Sequence, residues 1–363
     1  MAAMSEIFKK ITQHFKHDLP FVVYNKPNAT KLIGIFQPDN TLFHVQDYTE
    51  KGFVFAPFEG REIVLIPEKL SQVLIADFET SSRAETTLVA DTIEDEHAKS
   101  KHLELVQKGI DAIAKNRFKK VVLSRKETVS FEGFDLVSAF QKLLNTYPEA
   151  YTYCFFHPEI GLWLGGFSEQ LIRIKNRNLQ TMAVAGTQVY HENKAVVWQN
   201  KEKIEQRFVT DFIVESLKND VSNLLISEPY TMKAGNLMHI KTDITANLDE
   251  PENLRKVIEI LHPTPAVCGF PKDSAKAFIL ENEGYDRAFY SGFLGELNND
   301  FEKGENSTDL YVNLRCMQVQ ADPKTKKAKV YLYVGGGITI DSIPEKEWQE
   351  TVNKSKTMKK ILY

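Results

Sequence analysis

The 363 residues carry 45 basic and 49 acidic side chains, a formal net charge of −4 and 42% hydrophobic residues. That is enough apolar material for one large core or two modest ones, with no basic stripe for a phosphate backbone, so no nucleic-acid partner is expected. Cys154, Cys268 and Cys316 lie far apart with no C-x-x-C pair, which argues against a disulfide framework and a thiolate zinc site; with no charged-then-apolar leader and no apolar run long enough for a membrane helix, a cytoplasmic protein without a membrane partner is expected.

A helix is expected over residues 4–16, followed by β-rich runs at Phe21 to Tyr24, Lys31 to Phe36, Thr41 to Val45, Gly52 to Phe55 and Glu62 to Ile66, most of them separated by turn-forming residues. The polar stretch Glu79 to Thr87 reads as a linker or exposed loop. Leu103, Val106, Ile110 and Ile113 then recur at helical spacing, which predicts a helix of roughly 20 residues ending near Asn116. Strand-like runs follow at 119–130, 151–156, 161–166, 170–174, 180–185, 236–244, 290–297, 309–318 and 328–334, with helices at 135–146, 200–218, 250–260, 272–284 and 344–358. Strands that so often follow one another predict an α+β fold, with large antiparallel or mixed sheets flanked by helices, rather than a doubly wound one.

Alternation in Lys120 to Arg125 places Lys120, Val122 and Ser124 on one strand face. Lys120 either points into a cleft, where desolvation would suit it to act as a base, or stands on an edge and solubilises it. Glu169, between two apolar runs, is a proton donor or a turn cap, and Gly186 marks a close backbone approach or a plain turn. Glu205, Val209 and Phe212 share one helical face, which sets a carboxylate on the apolar side and calls for a partner such as a metal. Near the C-terminus a strand is expected to end in a loop of three glycines, Gly335 to Gly337, before a helix in which Glu347, Glu350 and Lys354 share a face and Ser342 to Glu345 has the form of a capping box. Together these carboxylates would suit Mg²⁺ and an acidic small molecule; a solvated helix with i,i+4 ion pairs is the plainer alternative.

The ordered motifs K-V-V-L-S-R at 120–125, A-G-T at 185–187, H-I-K-T at 239–242, L-H-P-T-P-A-V-C-G-F-P at 261–271, R-A-F-Y-S-G at 287–292, L-R-C at 314–316 and G-G-G-I with E-W-Q-E-T-V-N-K at 335–354 resemble the chorismate-utilising enzymes. The resemblance covers roughly residues 95–358 and implies a large single-domain, multilayered α/β/β/α sandwich with two mainly antiparallel sheets. Residues 1–94 would form its β-rich N-terminal part and 95–363 the chorismate-binding catalytic region. By position it implies Lys120 as the base that activates water and Glu169 as the acid that protonates the departing hydroxyl. It implies Glu205 and Glu350 as Mg²⁺ ligands, Glu347 as a carboxylate that reaches the metal through water, and Arg315, Lys354 and the Gly335 backbone as the clamp on substrate carboxylates. Gly186, His239, Ala266, Tyr290 and Leu314 would shape the pocket around the ring.

Relatives that use ammonia usually carry glutamine where Lys120 stands, and those that form a covalent adduct use a lysine where this chain has Ala185. An isochorismate synthase acting alone on chorismate, as a monomer with no glutamine amidotransferase subunit, is therefore expected, for menaquinone or a catechol siderophore. A salicylate synthase is the alternative: Ala266 favours the first, whereas Tyr290 and Leu314 occur in both. A chorismate-binding protein without activity would need no acid/base pair, and a nucleotide site would need a Walker lysine after the glycines. The chain departs from the family pattern at Ser168, in place of proline, at Gln206, in place of histidine, and at Glu296, where tryptophan is common.

Overall fold

A computed structural model describes residues 3–60, 62–79, 95–190, 196–234, 237–250, 253–321 and 327–362. In chain order the elements are α1 (Met4–Lys16), β1 (Phe21–Asn25), β2 (Lys31–Phe36), β3 (Phe43–His44), β4 (Gly52–Ala56), β5 (Val64–Pro67), β6 (Gln72–Asp77), α2 (Glu96–Ala114), β7 (Lys120–Glu132), α3 (Leu136–Thr146), β8 (Tyr151–His157), β9 (Gly161–Phe167), β10 (Gln170–Lys175), β11 (Asn178–Val189), α4 (Asn200–Leu217), β12 (Val221–Ile226), β13 (Tyr230–Ala234), β14 (Leu237–Leu248), α5 (Asn253–Leu261), β15 (Gly269–Phe270), α6 (Lys272–Asn282), β16 (Phe293–Leu297), β17 (Ser307–Val312), β18 (Cys316–Ala321), β19 (Lys327–Ile338) and α7 (Pro344–Lys359).

The strands form two sheets. The first has nine strands in the order β15-β7-β19-β18-β9-β8-β1-β2-β6; the second has ten, in the order β12-β14-β11-β10-β17-β16-β4-β5-β3, with β13 also paired to β14. The strand pairings described within them are antiparallel. Period-two alternation explains how the sheets stack. Every residue of β1 is buried, but Phe21 and Val23 pack with Ile7 and Ile11 of α1 and Phe140 and Leu143 of α3, whereas Val22 and Tyr24 join Phe53, Phe55, Trp163 and Leu294 in the layer between the sheets. On the far side of the second sheet, Val209, Ile213 and Leu217 of α4 and Val257 and Ile258 of α5 cover Ala183, Ile244 and Ala246. Val121 and Leu123 of β7 are covered by α2 and α6 through Val106, Phe278 and Ile279. The result is the helix, sheet, sheet, helix sandwich that the sequence implies. None of the helices described is long and apolar enough to cross a membrane.

Several expectations need correction. The run at 309–318 is two strands in different sheets: the chain leaves β17 at Val312, turns with Arg315 at a left-handed φ of 43°, and enters the other sheet as β18. The three glycines form no loop, since Gly335, Gly336 and Gly337 lie inside β19, paired with Ser124, Leu123 and Val122. The capping box is absent as well. Ile343 is the N-cap of α7 with no side-chain cap, and Ser342 Oγ instead accepts a hydrogen bond from the Thr339 amide at 3.1 Å. The strand expected to end at Ala185 continues to Val189 past a bulge, and the run at 290–297 is strand only from Phe293. β6, β12 and β13 were not expected; β12 and β13 are largely exposed and carry no buried alternation. Most of the stretch from Glu79 to Thr87 lies outside the described residues.

One buried ion pair ties the two sheets together away from the helices. Glu296 of β16 accepts hydrogen bonds from Tyr24 Oη of β1 and from Lys26 Nζ, both at 2.5 Å, with Asp300 3.7 Å from the same ammonium. Burial pushes Glu296 up to about 7 against the pull of Lys26. A carboxyl raised in the fold contributes stability that is complete below its ordinary pKa and is lost as pH rises through 7. Lys26→Met removes the cation that favours the charged form, so it should destabilise the protein by about 3 kcal/mol at pH 8 and clearly less at pH 5. Urea titrations at the two pH values test this, and an equal loss at both would rule out the pairing as its cause.

Candidate active site

A cavity of about 250 Å³ opens between the sheets where β7 and β19 of the first face β11 and β14 of the second. Twelve of the thirteen residues singled out from the sequence line it, although they come from segments more than 230 positions apart. The thirteenth, Glu347, is buried on α7 beside Gly336.

Lys120 begins β7 and is 1% exposed, so the edge-strand alternative does not describe it. Its Nζ lies 2.8 Å from Glu205 Oε1 of α4, the helix that packs on the opposite sheet. The contact depends on Gly337. A Cβ added there would stand 2.5 Å from Glu205 Oε1 and 3.1 Å from Lys120 Cε, inside the space the pair occupies. Gly186 serves a related purpose on the other wall. At φ +71° it occupies a bulge in β11, and an added Cβ would lie 2.9 Å from Glu202 Cβ, so its close approach to α4 requires glycine.

Glu169 follows β9 and faces the cavity half-buried. Loss of hydration raises its pKa to about 7, opposed by the positive charges of Lys120 and Arg315. Arg315 projects from the crossover between β17 and β18. Burial pulls its pKa below the ordinary value, and no described residue accepts a hydrogen bond from its guanidinium. A desolvated fork of donors left in that state is suited to a carboxylate.

His239 of β14 is held neutral, its pKa lowered to about 4 first by burial and then by Arg315. Its Nδ1 lies 2.9 Å from the Gly186 carbonyl, which can only accept, so Nδ1 carries the proton and Nε2 is left as an acceptor.

On α7, Lys354 Nζ bonds Glu350 Oε1 at 2.6 Å and the Gly335 carbonyl at 2.8 Å. Gly336 leaves room for both acids of this helix: an added Cβ would be 3.4 Å from Glu347 Oε2 and 3.8 Å from Glu350 Oε1. Among the described residues no three acidic, histidine or cysteine side chains stand close enough together to hold a metal ion by themselves. Glu347 and Glu350 stand at Gly336 and Glu205 at the next residue, Gly337, and Glu205 and Glu350 are each paired with a lysine. An open set of oxygen donors of this kind fits Mg²⁺, which keeps several waters and takes substrate oxygens.

Behind the wall lies a network that no residue pattern signals beyond the motif that contains it. Arg287, 3% exposed, donates from Nε to Glu283 Oε2 at 2.7 Å, from one terminal nitrogen to the Val122 carbonyl at 2.7 Å and from the other to the Val267 carbonyl at 3.0 Å. Glu283 in turn accepts from the Ser124 amide at 2.7 Å and its hydroxyl at 2.9 Å. The pair therefore fixes the strand of Lys120 and the loop of Ala266 from one point. Gln206, the departure beside Glu205, is also satisfied, donating to Thr242 Oγ1 at 2.8 Å and Thr210 Oγ1 at 2.9 Å. Ser168 lines the cavity and Glu296 belongs to the distant inter-sheet pair.

Comparison with known proteins agrees with this geometry. The family model described as "Chorismate binding enzyme" matches residues 59–363. The isochorismate synthase MenF of Escherichia coli strain K12 is 28% identical over 272 residues, covering 71% of this chain and 59% of that protein. The anthranilate synthase component 1 of Aquifex aeolicus strain VF5 is 26% identical over 279 residues, covering 71% of this chain and 52% of that protein. The chain thus spans between about half and three-fifths of the length of these curated relatives. In fold, it matches the structure of the menaquinone-specific isochorismate synthase of Escherichia coli with a TM-score of 0.75 at 20% identity, over 95% of this chain and 89% of that one. With most of its length inside the family model, the chain belongs to the chorismate binding enzyme family.

Proposed function

We propose that this protein is an isochorismate synthase, which converts chorismate to isochorismate by adding water at ring C2 as the hydroxyl leaves C4. The observation that carries this reading is the pair of groups facing one cavity: the buried amine of Lys120, and Glu169, whose pKa of about 7 keeps much of it protonated at neutral pH. Lys120 takes a proton from the attacking water and Glu169 gives one to the departing hydroxyl, so one water enters and one leaves and the change is an isomerisation. An ammonia-using relative needs no such base, and Ala185 offers no amine for a covalent adduct.

Arg315 and Lys354 receive the substrate carboxylates, with the Gly335 backbone beside them. Neutral His239 presents Nε2 as an acceptor for a ring hydroxyl, while Ala266, Tyr290, Leu314 and Gly186 exclude water from the rest of the ring. Glu205, Glu347 and Glu350 would hold Mg²⁺, which when bound supplies charge to neutralise a substrate carboxylate and fix the ring. Residues 95–363 form the catalytic region and 1–94 its N-terminal part, and the protein works in the cytoplasm as a monomer without an amidotransferase subunit. Menaquinone and catechol siderophore synthesis are the two pathways that such a product serves.

Three outcomes are expected. Lys120→Ala and Glu169→Gln should each lower kcat by at least about 10² in folded protein, and kcat/KM of the wild type should fall above pH 7 as Glu169 ionises; chromatography should show isochorismate as the main product. Salicylate and pyruvate formed in step from the first turnovers would replace this reading with the salicylate synthase one, and an ammonia-dependent aromatic amine would sink both.

Activity should disappear on rigorous chelation and return with Mg²⁺. Full turnover of chelated protein would remove the three glutamates from a metal role.

Glu169 should also cost stability. Its raised pKa means that its contribution is complete below about pH 4.5 and is lost as pH rises through 7, so Glu169→Gln should be more stable than wild type by about 2 kcal/mol at pH 8, a gain that shrinks towards pH 4.5. Denaturant titrations that show no gain at pH 8 would place the carboxyl in a wetter site than described.

A further inference from the structure

A second cavity, of about 400 Å³, lies on the other flank of α4. Its walls are held in place before anything binds. Trp198 Nε1 donates to Thr231 Oγ1 at 2.9 Å and Tyr230 Oη to Asp243 Oδ2 at 2.8 Å, which fixes both rings, and Ile226 and Ile240 add apolar surface between them. The Gln206 amide, pinned by Thr210 and Thr242, closes the side towards α4.

Two cations stand one helical turn apart at the rim. Lys203 is exposed and no described residue pairs with its ammonium, while Arg207 meets Asp211 only at 3.6 Å, with both side chains in solvent. Exchanging so weak and wet a pair for a ligand anion costs little.

One layer of side chains separates this cavity from the first. Glu202 and Glu205 of α4 line the first, and Lys203 and Gln206 line the second. Ile240 pairs in register with Ala185, and its Cδ1 lies 3.5 Å from the point where a Cβ on Gly186 would stand.

We propose that the second cavity binds a small aromatic carboxylate of one or two rings, with the ring between Trp198 and Tyr230 and the anion at Lys203 and Arg207, and that it acts on the first cavity through α4. Fixed apolar walls with a few convergent charges at one end are the usual form of a small-molecule site, and the two cations select an anion. The coupling rests on the isochorismate synthase reading; the binding does not.

The probe is 2-naphthoate, measured by equilibrium dialysis against the full chain. One equivalent should bind with a Kd of about a millimolar or tighter. Arg315→Ala, which disables the first cavity as an anion site, should leave the Kd within about twofold, whereas Lys203→Glu combined with Arg207→Glu should weaken it at least about tenfold. Thr210→Trp, which fills the cavity, should abolish binding; if that variant does not fold, the surface charge reversal decides. No binding up to about 10 mM, loss of binding in Arg315→Ala, or indifference to the charge reversal would each overturn the proposal. In the turnover assay the probe should lower kcat without raising KM for chorismate, and a purely competitive pattern would also overturn it. Wild-type protein that leaves chorismate unchanged would sink the isochorismate synthase reading and leave the dialysis result standing.

Discussion

The pairing of β7 with β19 is the constraint on which the rest of this molecule depends. It runs in unbroken register from Glu132 against Lys327 to Val121 against Ile338 and sets three consecutive glycines opposite the strand that begins with Lys120. Three glycines inside a strand weaken it by about 2 kcal/mol in total, because they have the most freedom to lose and nothing to pack. Val121 and Leu123 offset that loss on the other face, buried against α2 and α6. The pair of strands is thus well packed on one face, while Gly335 and Gly337 leave the other bare. The bare face is where a helix from the opposite sheet brings in Glu205.

Desolvation then sets the chemistry of the space so created. Lys120, Arg315 and Lys354 face it together with Glu169, Glu205 and Glu350, and what each does depends on its partners. Glu205 and Glu350 each have a lysine nitrogen within 2.8 Å. Glu169 has no such contact, which is why burial raises its pKa to about 7. Arg315 cannot shed its proton, so burial leaves it a charge in need of an anion. Two identical side chains such as Glu169 and Glu205 therefore differ in kind, one a carboxyl with a raised pKa and one held in an ion pair, because their surroundings differ.

Much of this could be read from the chain because local rules and tertiary packing agree. α1 follows from the spacing of Ile7 and Ile11, the shared face of Lys120, Val122 and Ser124 from period-two alternation, though not whether that face is a cleft or an edge, and α4 from the stripe of Glu205, Val209 and Phe212. The motifs located the cavity residues, which no local pattern could have assembled from both sheets. What could not be read was long-range or exposed. The change of sheet at Asn313 to Arg315 falls inside one continuous β-forming run, and only the partners of each half reveal it. β12 and β13 lie at a solvent-facing edge, where no alternation is enforced. Arg287 reaches the Val122 carbonyl 165 positions earlier in the chain, a bond to backbone that leaves no trace in side-chain pattern.

The left-handed turn at Arg315 has a consequence for anyone who selects variants of this protein for robustness. A φ of 43° strains arginine, like most residues with a β-carbon, by roughly 1 kcal/mol; glycine would remove that strain and asparagine, which tolerates this region, would lessen it. Neither carries a guanidinium. A screen that rewards heat resistance alone would thus enrich the loss of the very side chain that gives the cavity its unpaired positive charge, and the sturdiest clones at this position would be blind to an acidic ligand. Libraries built here should be sorted by what they bind before they are sorted by how long they survive.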